Sequence, residues 1–167
     1  NSIIALNSAI SGPDLSGAFT SQGHNLIGRG TGSSGFANGV NGDIDGNAIS
    51  INPLLAPLAN NGGTTQTMAL KGGSPAFDAG DNCVSQASHC GDANIPQLIN
   101  DQRGPGFSRI LDGPDPDLTA TVDIGAFETQ LFVENIADQT INEDGQLQIS
   151  LNIGGAVPIT SVTATSD

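Results

Sequence analysis

The sequence contains no tryptophan and no tyrosine, a single lysine among only four basic residues, and two cysteines in 167 positions. Each scarcity excludes something. Without Trp or Tyr the chain lacks the broad aromatic platforms on which sugars and bases stack, although six Phe remain. Arg29, Lys71, Arg103 and Arg109 stand against seventeen acidic residues, for a net charge of −13. A surface of that sign repels phosphate backbones and anionic headgroups, which argues against nucleic acid and membrane surfaces as partners. No apolar run reaches the roughly 18 residues of a spanning helix, and no basic, apolar leader stands at the start. The chain opens on NSIIALNSAI and ends at VTATSD, so it reads as a segment of a larger polypeptide, with any signal peptide or anchor expected outside it.

What is abundant is Gly, Asn, Ser, Thr, Ala and Ile, a composition suited to turns and short strands rather than long helices. From residue 1 to about 58, the runs SIIAL, NLIG and AISINPLL are separated by Gly, Asn and Ser clusters, and none carries a helical period. Such runs fit a sandwich or a stack of short parallel strands. Asn tolerates left-handed backbone and its amide can ladder between stacked coils, so NSIIALNS and GHNLIG suit the corners of a β-helix; hairpin turns are the alternative. Between 59 and 128, NNGG, KGGSP, DAGDN, DQRGPG and DGPDPD read as loops that must be stapled or functional. From 129 onward, apolar and polar residues alternate (Leu147, Ile149, Leu151, Ile153, then Ile159 and Val162), as in half-buried antiparallel strands. A boundary falls near residue 130.

The two cysteines lie in GDNCVSQASHCGD with six residues between them. In an oxidising compartment, Cys83 and Cys90 close a short loop as a disulfide. A metal site recruiting His89 and Asp92, or free thiols, stays open as an alternative, although adjacent His89 and Cys90 suit a tetrahedral site poorly.

The succession SGAFTSQGHNLIG, NPLLAPLANNGGTTQTMAL, GSPAFDAGD, NDQRG and TVDIGAFE resembles, in order and spacing, the C-terminal part of bacterial choice-of-anchor Q domain proteins, of the right-handed parallel β-helix, pectate-lyase-like type. The likeness covers about residues 1 to 128. IADQTINEDG, ISLNI and VTATSD look like the start of a cadherin-like or immunoglobulin-like tandem repeat. The resemblance implies an all-β chain: the C-terminal coils of a β-helix with loop-rich capping over 1–128, then a partial β-sandwich over 129–167. It also implies a secreted or cell-surface protein with a structural or adhesive role, and other copies of itself, surface proteins or glycans as partners.

The catalytic alternatives are a lyase, a hydrolase or a carbohydrate-binding module. A lyase on such a scaffold needs an Arg or Lys base beside clustered acids, and a hydrolase needs paired carboxylates facing one groove. Asp43 with Asp45, Asp78 with Asp81, and Asp123 with Glu128 are the pairs available, and none has basic or histidine companions in the sequence. His24 and His89 are the only histidines and no G-x-S-x-G elbow occurs, so no catalytic residue is assigned in this segment. His24 is expected as a hydrogen-bonded corner residue, His89 as a solvent-facing one, and active residues of an enzyme would lie upstream of residue 1.

Two acids in the apolar run TVDIGAFE need a partner, and Arg103 in DQRG offers a planar, five-donor one. A structural pair is therefore expected between Arg103 and Asp123 or Glu128, with Asp101 capping a turn. Calcium is the candidate cofactor. Asp43, Asp45 and Asn47 in GDIDGN, and Asp112, Asp115 and Asp117 in DGPDPD, are hard oxygen ligands on turns. GDIDGN is not an EF-hand, because Leu54 stands where the bidentate Glu would be. Glu143 and Asp144 in NEDG are a further candidate pair. The tail cannot complete a sandwich alone, and exposed β-helix edges invite assembly into filaments by strand addition.

Overall fold

The computed structural model describes residues 1–47, 49–87, 89–92, 94, 96–112 and 119–130, and the backbone of 132–133 and 153–154. The described residues are all-β in character, with no α-helix. Strands are two residues long: β1 (Ile3–Ile4), β2 (Gly17–Ala18), β3 (Leu26–Ile27), β4 (Ser33–Ser34), β5 (Ile44–Asp45), β6 (Phe132–Val133) and β7 (Ile153–Gly154). Two 3-10 turns, Asn82–Ser85 and His89–Gly91, complete the regular structure of the described residues.

The chain visits two small parallel sheets alternately. The first has the order β1-β3-β5, with Ile3 level with Leu26 and Ile44, and Ile4 level with Ile27 and Asp45; the second pairs β2 with β4. Parallel neighbours need a crossover, and here stretches of small polar residues make it instead of helices. The turn before β3 shows how. Asn25 Oδ1 accepts from Ser2 N at 3.1 Å, while Asp43 Oδ1 accepts from Asn25 N at 3.0 Å and Asn25 Nδ2 at 3.1 Å. Each level is thus tied to the next by a side-chain oxygen on a backbone N–H. His24, just before, takes the left-handed conformation (φ 53°), which a carbon-bearing residue adopts only at a cost of about 1 kcal/mol.

After β5 the chain is held by isolated antiparallel bridges: Leu55 with Leu70, Ala59 with Thr67, Asn100 with Ser108, and Leu111 with Thr121. Among the described residues of 59–128, turns, bends, single bridges and the two 3-10 turns carry the chain. The TVDIGAFE stretch is the centre of the molecule. Val122 and Ile124 are fully buried, and Ile124 clusters with Leu26 and Ala76 among Ile3, Ile44, Ile51 and Leu70. Burial of one such side chain is worth roughly 1.5–3 kcal/mol. Its backbone is bonded on both sides, Ile124 N to Ala76 O at 2.8 Å and Gly80 N to Val122 O at 2.8 Å. Gly80 has to be glycine, since a Cβ there would stand 2.7 Å from Val122 O.

In the tail, β6 pairs antiparallel with β7, Phe132 opposite Gly154 and Val133 opposite Ile153. Leu147, Ile149, Leu151, Ile159 and Val162 lie outside the described residues. Among the described residues no helix is long and apolar enough to cross a membrane.

Candidate functional site

The densest polar chemistry is a buried group of three acids and two arginines around TVDIGAFE. Asp101, Arg103, Arg109, Asp123 and Glu128 are all buried, the last two with 1% of their surface exposed. Their backbone comes from loops that meet only in the fold, so the group forms when 100–112 closes over 121–130.

Asp101 and Arg103 are built as one turn. Asp101 Oδ1 accepts from Arg103 N at 2.8 Å, and Gly104 N returns to Asp101 O at 3.0 Å. The turn folds the guanidinium onto the same carboxylate, Nη2 to Oδ2 at 2.6 Å and Nε to Oδ2 at 2.9 Å. Arg103 Nη2 also donates to Glu128 O. Its Cζ lies over two rings, 4.0 Å from the Phe107 centroid and 3.8 Å from that of Phe127, and each adds cation–π attraction. Asp101 Oδ2 accepts a further bond from Glu128 N at 2.8 Å.

Arg109 holds the other half. Nη1 meets Glu128 Oε2 at 3.0 Å, and Nη2 donates to Asp123 O at 3.0 Å and Gly125 O at 2.9 Å. Glu128 Oε2 also accepts from Asp123 N at 3.0 Å, and Oε1 from Leu111 N at 3.1 Å. Asp123 accepts from Asp78 N at 3.0 Å and Thr129 N at 2.7 Å. All six carboxylate oxygens of the three acids are therefore occupied within the protein. Burial, reinforced by the charge of Asp123, pushes Glu128 up to about 8 despite the amide bonds and Arg109. Burial likewise raises Asp123, against the bonds from Asp78 and Thr129.

The expected pairing is thus corrected. Arg103 pairs with Asp101 instead of the side chain of Asp123 or Glu128, because the two-residue turn brings its own carboxylate nearer and Arg109 occupies that of Glu128. Asp101 does cap its turn. Arg109 escaped the sequence reading, since nothing in SRILDG marks it as a partner. The available signal was arithmetic: a chain with four basic residues and buried acids has few cations to spare.

The other candidates are dispersed. Cys83 and Cys90 form a disulfide, so neither metal nor free thiols claim them. Beside it, Asn82 clamps the start of TVDIGAFE, Nδ2 to Ala120 O at 3.0 Å and Oδ1 from Val122 N at 2.8 Å. Asp81 caps this turn through Cys83 N. His24 is a corner residue, with Nδ1 2.9 Å from Ala79 O; the side chain of His89 lies outside the described set.

Of the calcium candidates, Asp43 spends Oδ1 on Asn25, whereas Asp45 is buried with Oδ1 unpartnered and Asn47 is exposed. Burial, then the charge of Asp43, raises the Asp45 carboxyl. Asp43, just before β5, and Asp45, within it, are two positions apart and so share a side of the strand, close enough for the charge of Asp43 to act on Asp45. Among the described residues no three His, Cys, Asp or Glu side chains come together as a metal site. Asp112 is half-buried; Asp115, Asp117, Glu143 and Asp144 lie outside the described residues.

Compared with known proteins, the chain matches no family model, no curated protein and no solved structure.

Proposed function

We propose that this chain is a non-catalytic structural or adhesive module of a secreted or cell-surface bacterial protein. In this reading, residues 1–128 are the last coils and capping loops of a right-handed parallel β-helix of the choice-of-anchor Q kind, and 129–167 open an immunoglobulin-like or cadherin-like repeat. The module associates with other copies, surface proteins or glycans, and strand addition at a sheet edge is its means of assembly.

One observation carries the reading. The acids best placed to be a catalytic pair, Asp123 and Glu128, are buried, with every oxygen spent on Arg109 or backbone amides. A carboxylate buried and bonded in this way is closed off from a substrate. It serves instead to fix TVDIGAFE in the core. The in-register ladder of Ser2, Asn25 and Asp43 supports the coil reading, because stacked coils place equivalent corner residues one above another.

The test is incubation with acidic and neutral polysaccharides, reading unsaturated ends by ultraviolet absorbance and reducing ends by colour. No product above the protein-free control is expected; product formed by the purified chain and lost in Asp43→Asn or Asp45→Asn would overturn the reading. An experimental density map that resolves side chains tests the coils directly.

A further inference from the structure

The hairpin that leads into β5 closes the outer side of that strand. Ile44 N bonds Asn25 O at 2.8 Å and Gly46 N bonds Ile27 O at 2.9 Å, so these two residues turn their backbone groups to β3. By the alternation of a parallel ladder, the N–H and C=O of Asp43 and Asp45 face the other way, where the next strand of a growing stack would lie. Residues 38–40 stand there instead. Asp43 N donates to Val40 O at 3.0 Å, Gly39 N to Asp43 O at 2.8 Å, and Asp45 N to Asn38 Oδ1 at 3.2 Å.

The run NGVNGD builds this return. Asn41 and Gly42 both take positive φ, 52° and 73°, and with the bond from Asp43 N to Val40 O they make a two-residue turn of the type I′ kind, for which Asn-Gly is the favoured pair. The turn is seated against the preceding corner. Asn41 O accepts from His24 N at 2.9 Å, and a Cβ on Gly42 would stand 2.6 Å from His24 Cε1, so only glycine lets the ring lie there. The returning arm offers no straight strand in its turn. Val40 N is spent on Ala37 O at 3.0 Å, and Gly39 at φ 79° bends the arm out of line, which blunts it as an edge.

We propose that residues 38–43 are a built-in plug, an autoinhibitory contact that holds β5 shut against a strand from another chain. Among the described residues the chain adds no further strand to this sheet after β5: Ile51 N returns to Gly28 O at 2.7 Å, and the bridges from Leu55 onward are antiparallel. An open edge at this point would be a template for pairing. Asn38, Gly39 and Val40 are exposed, Val40 by 54%, so the plug buries little apolar surface and acts through its hydrogen bonds. The inference rests on the reading of the chain as a structural module that associates by strand addition, and it removes the β5 edge from that role while the hairpin is in place.

The experiment opens the plug. Asn38→Ala removes the acceptor of Asp45 N, and Gly39→Pro removes the donor to Asp43 O and, with proline fixed at a φ of about −65°, cannot take the observed 79°. Wild type and the double variant are compared by sedimentation velocity across a wide concentration range, in about 1 M salt, so that the charge of −13 is screened beyond about 3 Å. The double variant should sediment faster than wild type as concentration rises, with unchanged far-ultraviolet circular dichroism when dilute. Val40→Ala, which keeps the carbonyl that Asp43 N uses, should follow wild type. Asn38→Ala alone, at an exposed position, should raise amide exchange at Asp45 roughly 3- to 10-fold, and it decides the matter if the double variant does not fold. A folded double variant that sediments like wild type at every concentration, or an Asp45 amide as protected in Asn38→Ala as in wild type, would overturn the inference. Either result leaves the structural reading standing. Release of product from polysaccharide sinks that reading, whatever the plug variants do.

Discussion

Glu128 and Arg109 set the terms at the level of single residues. Arg109 donates to Glu128 Oε2 and to the carbonyls of Asp123 and Gly125, and its removal leaves these buried acceptors unsatisfied, so Arg109→Met should cost roughly 3–5 kcal/mol in urea unfolding. Glu128 titrates near its usual value of 4.5 when unfolded and about 8 when folded. The folded state thus holds this proton more tightly, and its contribution is full below pH 4.5 and lost as pH rises through about 8. Unfolding free energy should fall over that window, and Glu128→Gln should flatten the fall; a wild-type profile that rises instead would refute the assignment. From the sequence, the need for an arginine beside these acids was legible, because a buried carboxylate requires a partner. Which arginine was not. Arg103 and Arg109 differ by six positions and by nothing that composition records, and the choice is made by how 100–112 lies across 121–130.

Among elements, the corner at Asn25 and the disulfide turn do the joining. Asn25 Nδ2 also donates to Ser21 Oγ and Gly23 O, so Asn25→Ala strips one level of the stack of its ties above and below. A loss of about 1–3 kcal/mol is expected from the unsatisfied groups left behind, measurable as a lowered urea midpoint with an unchanged slope. Opening Cys83–Cys90 by Cys→Ser at both positions should cost about 2.5 kcal/mol on the chain-entropy account of a short loop. Hydrogen exchange should then rise first at Val122, whose amide Asn82 holds, and at Leu98, bonded to Val84 O. Asn-rich corners and the cysteine spacing made these elements readable in advance. The antiparallel bridges between 55 and 121 were not, since single residue pairs among glycines leave no periodic trace.

Among the described residues regular structure is sparse and the core small, and Ile124 is its pivot. Ile124→Ala should remove about 2–5 kcal/mol, and the loss should register equally by fluorescence of a dye on the disulfide turn and by circular dichroism of the sheets. Separate transitions by the two probes would show that loops and strands melt independently. The placement of TVDIGAFE has a further consequence, for the order of events in a cell. Gly125 N bonds Asn1 O, so the residues leading into β1 complete their contacts only with a stretch far along the sequence. A polypeptide emerging amino end first, whether from a ribosome or through a translocation channel, cannot close this interior until Gly125 has followed Asn1 out. Until then it travels as an open, threadable chain.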